Sequence, residues 1–138
     1  MRKIYLDMDG TIADLYKVNG WLEDLINHNA RPYREAEKIV EAETLENLVE
    51  NGYELAIVSW LAKNSNKEYD KEVRKAKREW LKVNYPTIKF TEIHIVKYGT
   101  PKSTVVKDKT AILFDDEENN LKEWKGEAVN ANRLTEWL

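Results

Sequence analysis

Leu55-Ala56-Ile57-Val58 is an uninterrupted apolar run of strand length. A strand exposed on one face alternates apolar and polar residues, whereas a strand buried on both faces does not. This run therefore calls for a sheet covered on both sides. Further apolar segments are expected to be strands at Ile4 to Leu6, Ile93 to Val96 and Ala111 to Phe114, with a weaker fifth at Glu127 to Val129. Stretches of helical period separate them. Strands alternating with helices predict an α/β fold, a Rossmann-like parallel sheet of about five strands with helices on both faces.

Leu15, Val18, Leu22, Leu25 and Ile26 recur at helical spacing, with Gly20 as a weak point. Pro32 suits the start of a second helix. Its apolar positions Ala36, Ile39 and Val40 fall out of phase with Leu45, Leu48 and Val49, so a break is expected near Thr44, a good N-cap residue. Asn51-Gly52 ends that helix. Ser65 with Glu68 has the spacing of a capping box. Tyr69, Val73, Ala76, Trp80 and Val83 then define one apolar stripe, stopped by Pro86. A short helix is expected at Glu118 to Trp124 and a helical tail at Arg133 to Leu138.

A chain of 138 residues predicts a single domain, residues 1–138. Charged residues make up 34%, yet the net charge is only −3, which gives no general attraction to nucleic acid or membrane. The helix from Lys67 to Lys82 carries seven basic and four acidic residues; the expectation is a solvated face, not a nucleic-acid surface. With no cysteine, disulfides and thiolate metal sites are excluded. Only a few apolar residues separate Met1-Arg2-Lys3 from Asp7, too few for a signal peptide, so a cytoplasmic protein is expected. His28 and His94 have no ligand spacing and are read as structural or exposed.

Three of the apolar strands end in polar groups: Asp7, Ser59 and the pair Asp115-Asp116. Ligands of open parallel sheets bind at the carboxyl ends of the strands, so these groups are expected to share one crevice. Clustered carboxylates repel one another unless a cation lies between them. Oxygen donors without cysteine or histidine favour a hard ion such as Mg²⁺. A carboxylate can also attack phosphorus, and a second one two residues on can move the proton.

Asp7-x-Asp9-Gly10-Thr11 after the first strand resembles the first motif of the haloacid dehalogenase (HAD) superfamily. Ser59, Lys102 and Asp115-Asp116 follow in the order of its other motifs, so the resemblance runs from Ile4 to about Asn120. It implies that Asp7 is the nucleophile, that Asp9 is the general acid/base with a main-chain carbonyl on Mg²⁺, and that Thr11 orients Asp9. The Ser59 hydroxyl and Trp60 amide are then expected to hold phosphoryl oxygens. Lys102 offsets the charge around Asp7; Lys107 is the alternative. Asp116 ligates the metal, with Asp115 and Asn120 behind it. Many members carry a further acid where this chain has Asn120.

The resemblance also implies a small helical cap inserted after the first strand, at about residues 14–43. Within the family, "DMDGTIADLY" is most similar to the 5'(3')-deoxyribonucleotidase branch, which implies a nucleoside monophosphate as the small-molecule partner. The residues after Ser59 depart from that branch. Trp60 and Trp21 are either core residues or stacking surfaces for a ring. Sugar phosphates, phosphorylated macromolecules and a non-catalytic phosphate-binding relative stay open as alternatives, as does a homo-oligomer.

Overall fold

The computed structural model describes residues 2–137. Five parallel strands form one sheet in the order β3-β2-β1-β4-β5, with β1 at Arg2–Leu6, β2 at Tyr53–Trp60, β3 at Ile93–Val96, β4 at Ile112–Asp115 and β5 at Ala128–Asn130. From β1 the chain first steps outward to β2 and β3, then returns across to β4 and β5. The direction of travel reverses between β1 and β4, and a crevice opens at the carboxyl ends there.

The two faces of the sheet are covered differently. One packs Ile4, Leu6, Leu55, Ile57, Ile112 and Phe114 against α3 (Ala42–Glu50) and α4 (Lys67–Asn84), through Leu45, Leu48, Trp80 and Leu81. The other packs Tyr5, Ala56, Val58 and Leu113 beneath Val106, Ala111 and Trp124. That second cover is thin: the β3–β4 connection holds only a 3-10 turn at Lys102–Thr104, and α5 spans just Glu118–Glu123. Full burial of the central strands on both sides is what the continuous run at Leu55–Val58 requires.

α4 is the longest element, 18 residues. Its N-cap is Asn66, whose side chain accepts the Tyr69 amide at 2.9 Å, and the Ser65–Glu68 capping box does not form. A local Asx cap outcompetes the serine one residue earlier. Tyr69, Val73, Ala76 and Trp80 face inward as their spacing requires, but Val83 is 77% exposed and Leu81 takes the inner position. Trp80 Nε1 donates to the Ala36 carbonyl at 2.7 Å, and the Tyr85 hydroxyl donates to the Val40 carbonyl at 2.6 Å. These bonds tie α4 to an extended strap before α3.

That strap explains the phase break. α2 is only Arg31–Glu35, Ile39 and Val40 lie on no helix, and α3 begins at Ala42 with Glu41 as its cap position, so Thr44 is inside the helix. The run from Leu15 to Ile26 is likewise split, into a 3-10 turn at Leu15–Lys17 and α1 at Trp21–Ile26, with Gly20 left-handed between them (φ 76°). Leu22 and Ile26 are exposed. β2 runs two residues beyond the expected end, so Ser59 and Trp60 lie within the strand. The tail is a 3-10 segment, Ala131–Trp137, rather than an α-helix, and its expected last residue, Leu138, lies outside the described residues. Among the described residues no helix is long and apolar enough to cross a membrane.

Candidate functional site

The β1–β4 ladder continues one bond past β1: the Asp7 amide donates to the Phe114 carbonyl at 3.0 Å. Asp7 is thereby held beside Asp115. Immediately after, the Met8 carbonyl accepts the amides of Thr11, Ile12 and Ala13, at 3.0, 3.0 and 2.9 Å. This tight turn requires Gly10 at φ 83°, where a Cβ would also overlap the Asp116 carboxylate. The glycine thus serves two needs, a left-handed backbone and the close approach of Asp116 over the turn.

Asp7, Asp115 and Asp116 each offer an oxygen, all within 4.8 Å of one another. Lys102 lies beneath them, almost wholly buried, and its Nζ donates to Asp7 Oδ1 at 2.8 Å and to Asp115 Oδ2 at 2.7 Å. Burial would push the lysine pKa down, but Asp7 and Asp115 outweigh it and the net direction is up. Lys107 is exposed, and its main-chain amide turns instead to Glu92. Of the two expected lysines, the geometry brings Lys102 to the site.

Asp115 has its oxygens engaged by protein donors: Lys102 and Asn120 Nδ2 (3.1 Å) at Oδ2, and the Glu117 amide (3.0 Å) at Oδ1. Among the described residues Asp116 has no such cation partner. Its side chain opens to the cleft, yet desolvation there, with Asp7 and Asp115 nearby, pushes its pKa up to about 7. An oxygen cluster with one lysine for three acids has the donor chemistry that could hold a hard divalent ion.

Thr11 departs from its expected role. Its hydroxyl donates to Asp7 Oδ2 at 3.3 Å, not to Asp9. Asp9 is held by a residue that the sequence reading left on a solvated face: Lys77 of α4, 1% exposed, whose Nζ donates to Asp9 Oδ2 at 2.9 Å. The same Nζ donates to Ser59 Oγ at 2.8 Å and to the Trp60 carbonyl at 2.7 Å. Lys77 lies four residues after Val73 and three before Trp80, on the buried stripe. A lysine in that phase was the available signal. Burial pushes the Asp9 carboxyl up, against the pull of Lys77.

Ladder alternation explains the orientation of β2. The Ile57 and Leu61 amides bond toward the β3 side, at 2.9 Å to Glu92 and 2.7 Å to Val96. The Trp60 amide therefore turns toward β1, where Asp7 lies. The Trp60 indole is fixed by a 2.8 Å bond from Nε1 to the Thr100 carbonyl, and packs on Tyr98 with ring centres 4.9 Å apart. Across the opening, Tyr16 and Trp21 meet edge to face at 5.0 Å. Both pairs line a cavity of about 620 Å³ whose floor includes Asp7, Asp9, Lys102 and Asp116. Trp60 and Trp21 are thus cleft-lining residues, not sealed core. His28 stacks on Tyr69 and His94 pairs with Glu92; neither lines the cleft.

No family model matches the chain, and no curated protein sequence matches it. Among solved structures, the fold is similar to D,D-heptose 1,7-bisphosphate phosphatase from Burkholderia thailandensis, with a TM-score of 0.57 and 13% identity over 88% of this chain and 70% of that one.

Proposed function

We propose that this α/β chain is a Mg²⁺-dependent phosphomonoester hydrolase of the HAD type, acting through an aspartyl-phosphate on nucleoside monophosphates. The observation that carries this reading is the meeting of Asp7, Asp116 and Lys102 at the floor of the cleft, where the strand order reverses. The neighbouring fold, a phosphatase in its own right, is consistent with it.

In this reading an oxygen of Asp7 attacks phosphorus, and the bond from phosphorus to the leaving oxygen breaks. Asp9 gives that oxygen a proton. Asp9 then takes a proton from water, whose oxygen attacks the phosphoryl group and releases Asp7. The Ser59 hydroxyl, the Trp60 amide and the Lys102 ammonium face the phosphoryl oxygens, where fixed positive charge matters most. Asp7, Asp116 and the main-chain carbonyl of Asp9 would hold Mg²⁺, with Asp115 and Asn120 supporting them. When bound, the ion supplies positive charge that offsets the acidic cluster and the phosphate. The insertion between β1 and α3 acts as a small cap, about residues 14–43, which brings Tyr16 and Trp21 over the cleft.

Two aromatic pairs beside the floor support a planar base as the leaving group's outer part, since rings stack on bases without regard to sequence. A sugar phosphate is the second reading. The polar side chains Asn64, Glu117 and Asn120 in the same lining favour it, because they can meet hydroxyl groups.

The test is a panel of ribo- and deoxynucleoside 5′- and 3′-monophosphates, sugar phosphates and p-nitrophenyl phosphate, with Mg²⁺. The expected result is turnover of the nucleotides, abolished by EDTA and restored by Mg²⁺. Asp7→Asn is expected to lower turnover by about 10⁴-fold or more with the fold retained. Turnover confined to sugar phosphates would select the second reading. Binding of phosphate without turnover of any compound would leave a non-catalytic relative.

A further inference from the structure

Lys77 is a buried cation for which the acid–base scheme has no role. Its three ammonium protons are all used: Asp9 Oδ2 at 2.9 Å, Ser59 Oγ at 2.8 Å and the Trp60 carbonyl at 2.7 Å. The Tyr33 ring of α2 covers the same Nζ at 5.2 Å from its centre. One side chain from α4 therefore connects the tip of β1, the end of β2 and the inserted segment.

We infer that Lys77 is a positioning residue that aims both the Asp9 carboxyl and the Ser59 hydroxyl at the reacting phosphate, an assignment that rests on the hydrolase reading above. With its donors consumed, the lysine has none left for substrate. What it does is direct the atoms it binds. Holding Asp9 by Oδ2 leaves Oδ1 for the leaving oxygen. Donating to Ser59 Oγ fills an acceptor site there, so the serine's own proton is turned away from Lys77 and is available to a phosphoryl oxygen. Asp9 sits on a turn and keeps an 18% exposed side chain, so without this bond its carboxylate is free to rotate toward water. A displaced proton donor costs rate far more than it costs affinity.

A structural tether and a positioning residue differ in one measurable way. A proton donor matters most when the leaving group is a poor one. Alkoxide departure from a nucleotide requires Asp9, whereas p-nitrophenolate leaves with little help. Lys77→Met is expected to lower kcat/KM for a nucleoside 5′-monophosphate roughly 100-fold. The expected fall for p-nitrophenyl phosphate is under about tenfold, since only the Ser59 contribution is shared. In an Asp9→Asn background the same change is expected to cost under about tenfold further, because the share acting through Asp9 is already lost and only the Ser59 share remains.

An equal fall for both substrates, or a full additional loss in the double variant, would overturn the inference. Circular dichroism checks folding; where Lys77→Met does not fold, Lys77→Gln takes its place in the same comparison. A chain that folds with neither substitution would make Lys77 a structural lysine, which also overturns it. Failure of the hydrolase reading is seen separately: the unaltered protein would turn over neither substrate, and the assignment would fall with it.

Discussion

The floor of the cleft and its walls are built on opposite principles. At the floor and just beneath it, Asp7, Ser59, Lys77, Lys102 and Asp115 are buried and each is held by short bonds to neighbours on other elements, while Asp9 and Asp116 open to the cleft. On the walls, Tyr16 and Tyr98 are about half exposed and make ring contacts, with Leu22 more exposed still. Buried charges must be matched in place, because an unpaired one costs several kcal/mol. Exposed rings can be exchanged or tilted at small cost. Under the hydrolase reading proposed above, this is fixed chemistry below and replaceable recognition above, the arrangement expected where a common reaction serves different substrates.

This contrast can be broken most directly at Lys102. Lys102→Met strands Asp7 and Asp115 without their cation, and is expected to cost about 3–5 kcal/mol of stability at neutral pH, read from urea unfolding. Its turnover is expected to fall roughly 10²–10³-fold, as for loss of one donor at a developing charge. A small effect on both would show that the floor tolerates change as the walls do.

The walls give the intermediate effect. Tyr98→Ala is expected to raise KM for nucleoside monophosphates roughly five- to tenfold, near the low end of the ~1–3 kcal/mol typical of base stacking, while kcat stays within about twofold. Steady-state kinetics on both variants separates the two regions. A kcat loss at Tyr98 as large as that at Lys102 would erase the distinction.

Glu92, outside the cleft, sharpens the comparison by showing a matched charge that serves no substrate. Burial would raise its carboxyl, but the bonds from Lys3, His94, Tyr5 and the Lys107 amide win, and its pKa falls from 4.5 to about 2. A carboxyl depressed on folding stabilises above its unfolded value and loses that contribution as pH falls through the folded one. Stability is therefore expected to decline between about pH 4.5 and 2 more steeply in the native chain than in Glu92→Gln, with turnover at pH 7 the same in both. Parallel acid-unfolding curves would remove Glu92 as a source of the decline.

The same division decided what could be read from residues alone. Strand ends announce themselves: an apolar run followed by an acid, as at Leu6-Asp7 or Phe114-Asp115, locates both the sheet and its acidic edge. Asp7 and Asp116 were legible for that reason; Lys102 was expected through motif order alone, with Lys107 left open beside it. Lys77 was not, because an 18-residue helix with many basic residues looks solvated until each is assigned a phase. The segment from Leu15 to Val40 was half legible. Its apolar spacing is real, but Gly20 and the bonds from Trp80 and Tyr85 to the Ala36 and Val40 carbonyls break it into short pieces. Tertiary partners, not local propensity, set those boundaries. The aromatic pairs involve residues 38 apart at Trp60 and Tyr98, a distance across which local pattern carries no information.

The chain crosses back from β3 to β4 over a connection with no helix longer than a 3-10 turn, and that connection carries Lys102. Segments with few stabilising ladders open first when a protein breathes. Gentle warming should therefore loosen this stretch before the molecule melts: amides between residues 97 and 111 would exchange with deuterium ahead of those in β1 and β2, and the proposed hydrolysis would fade along with their protection.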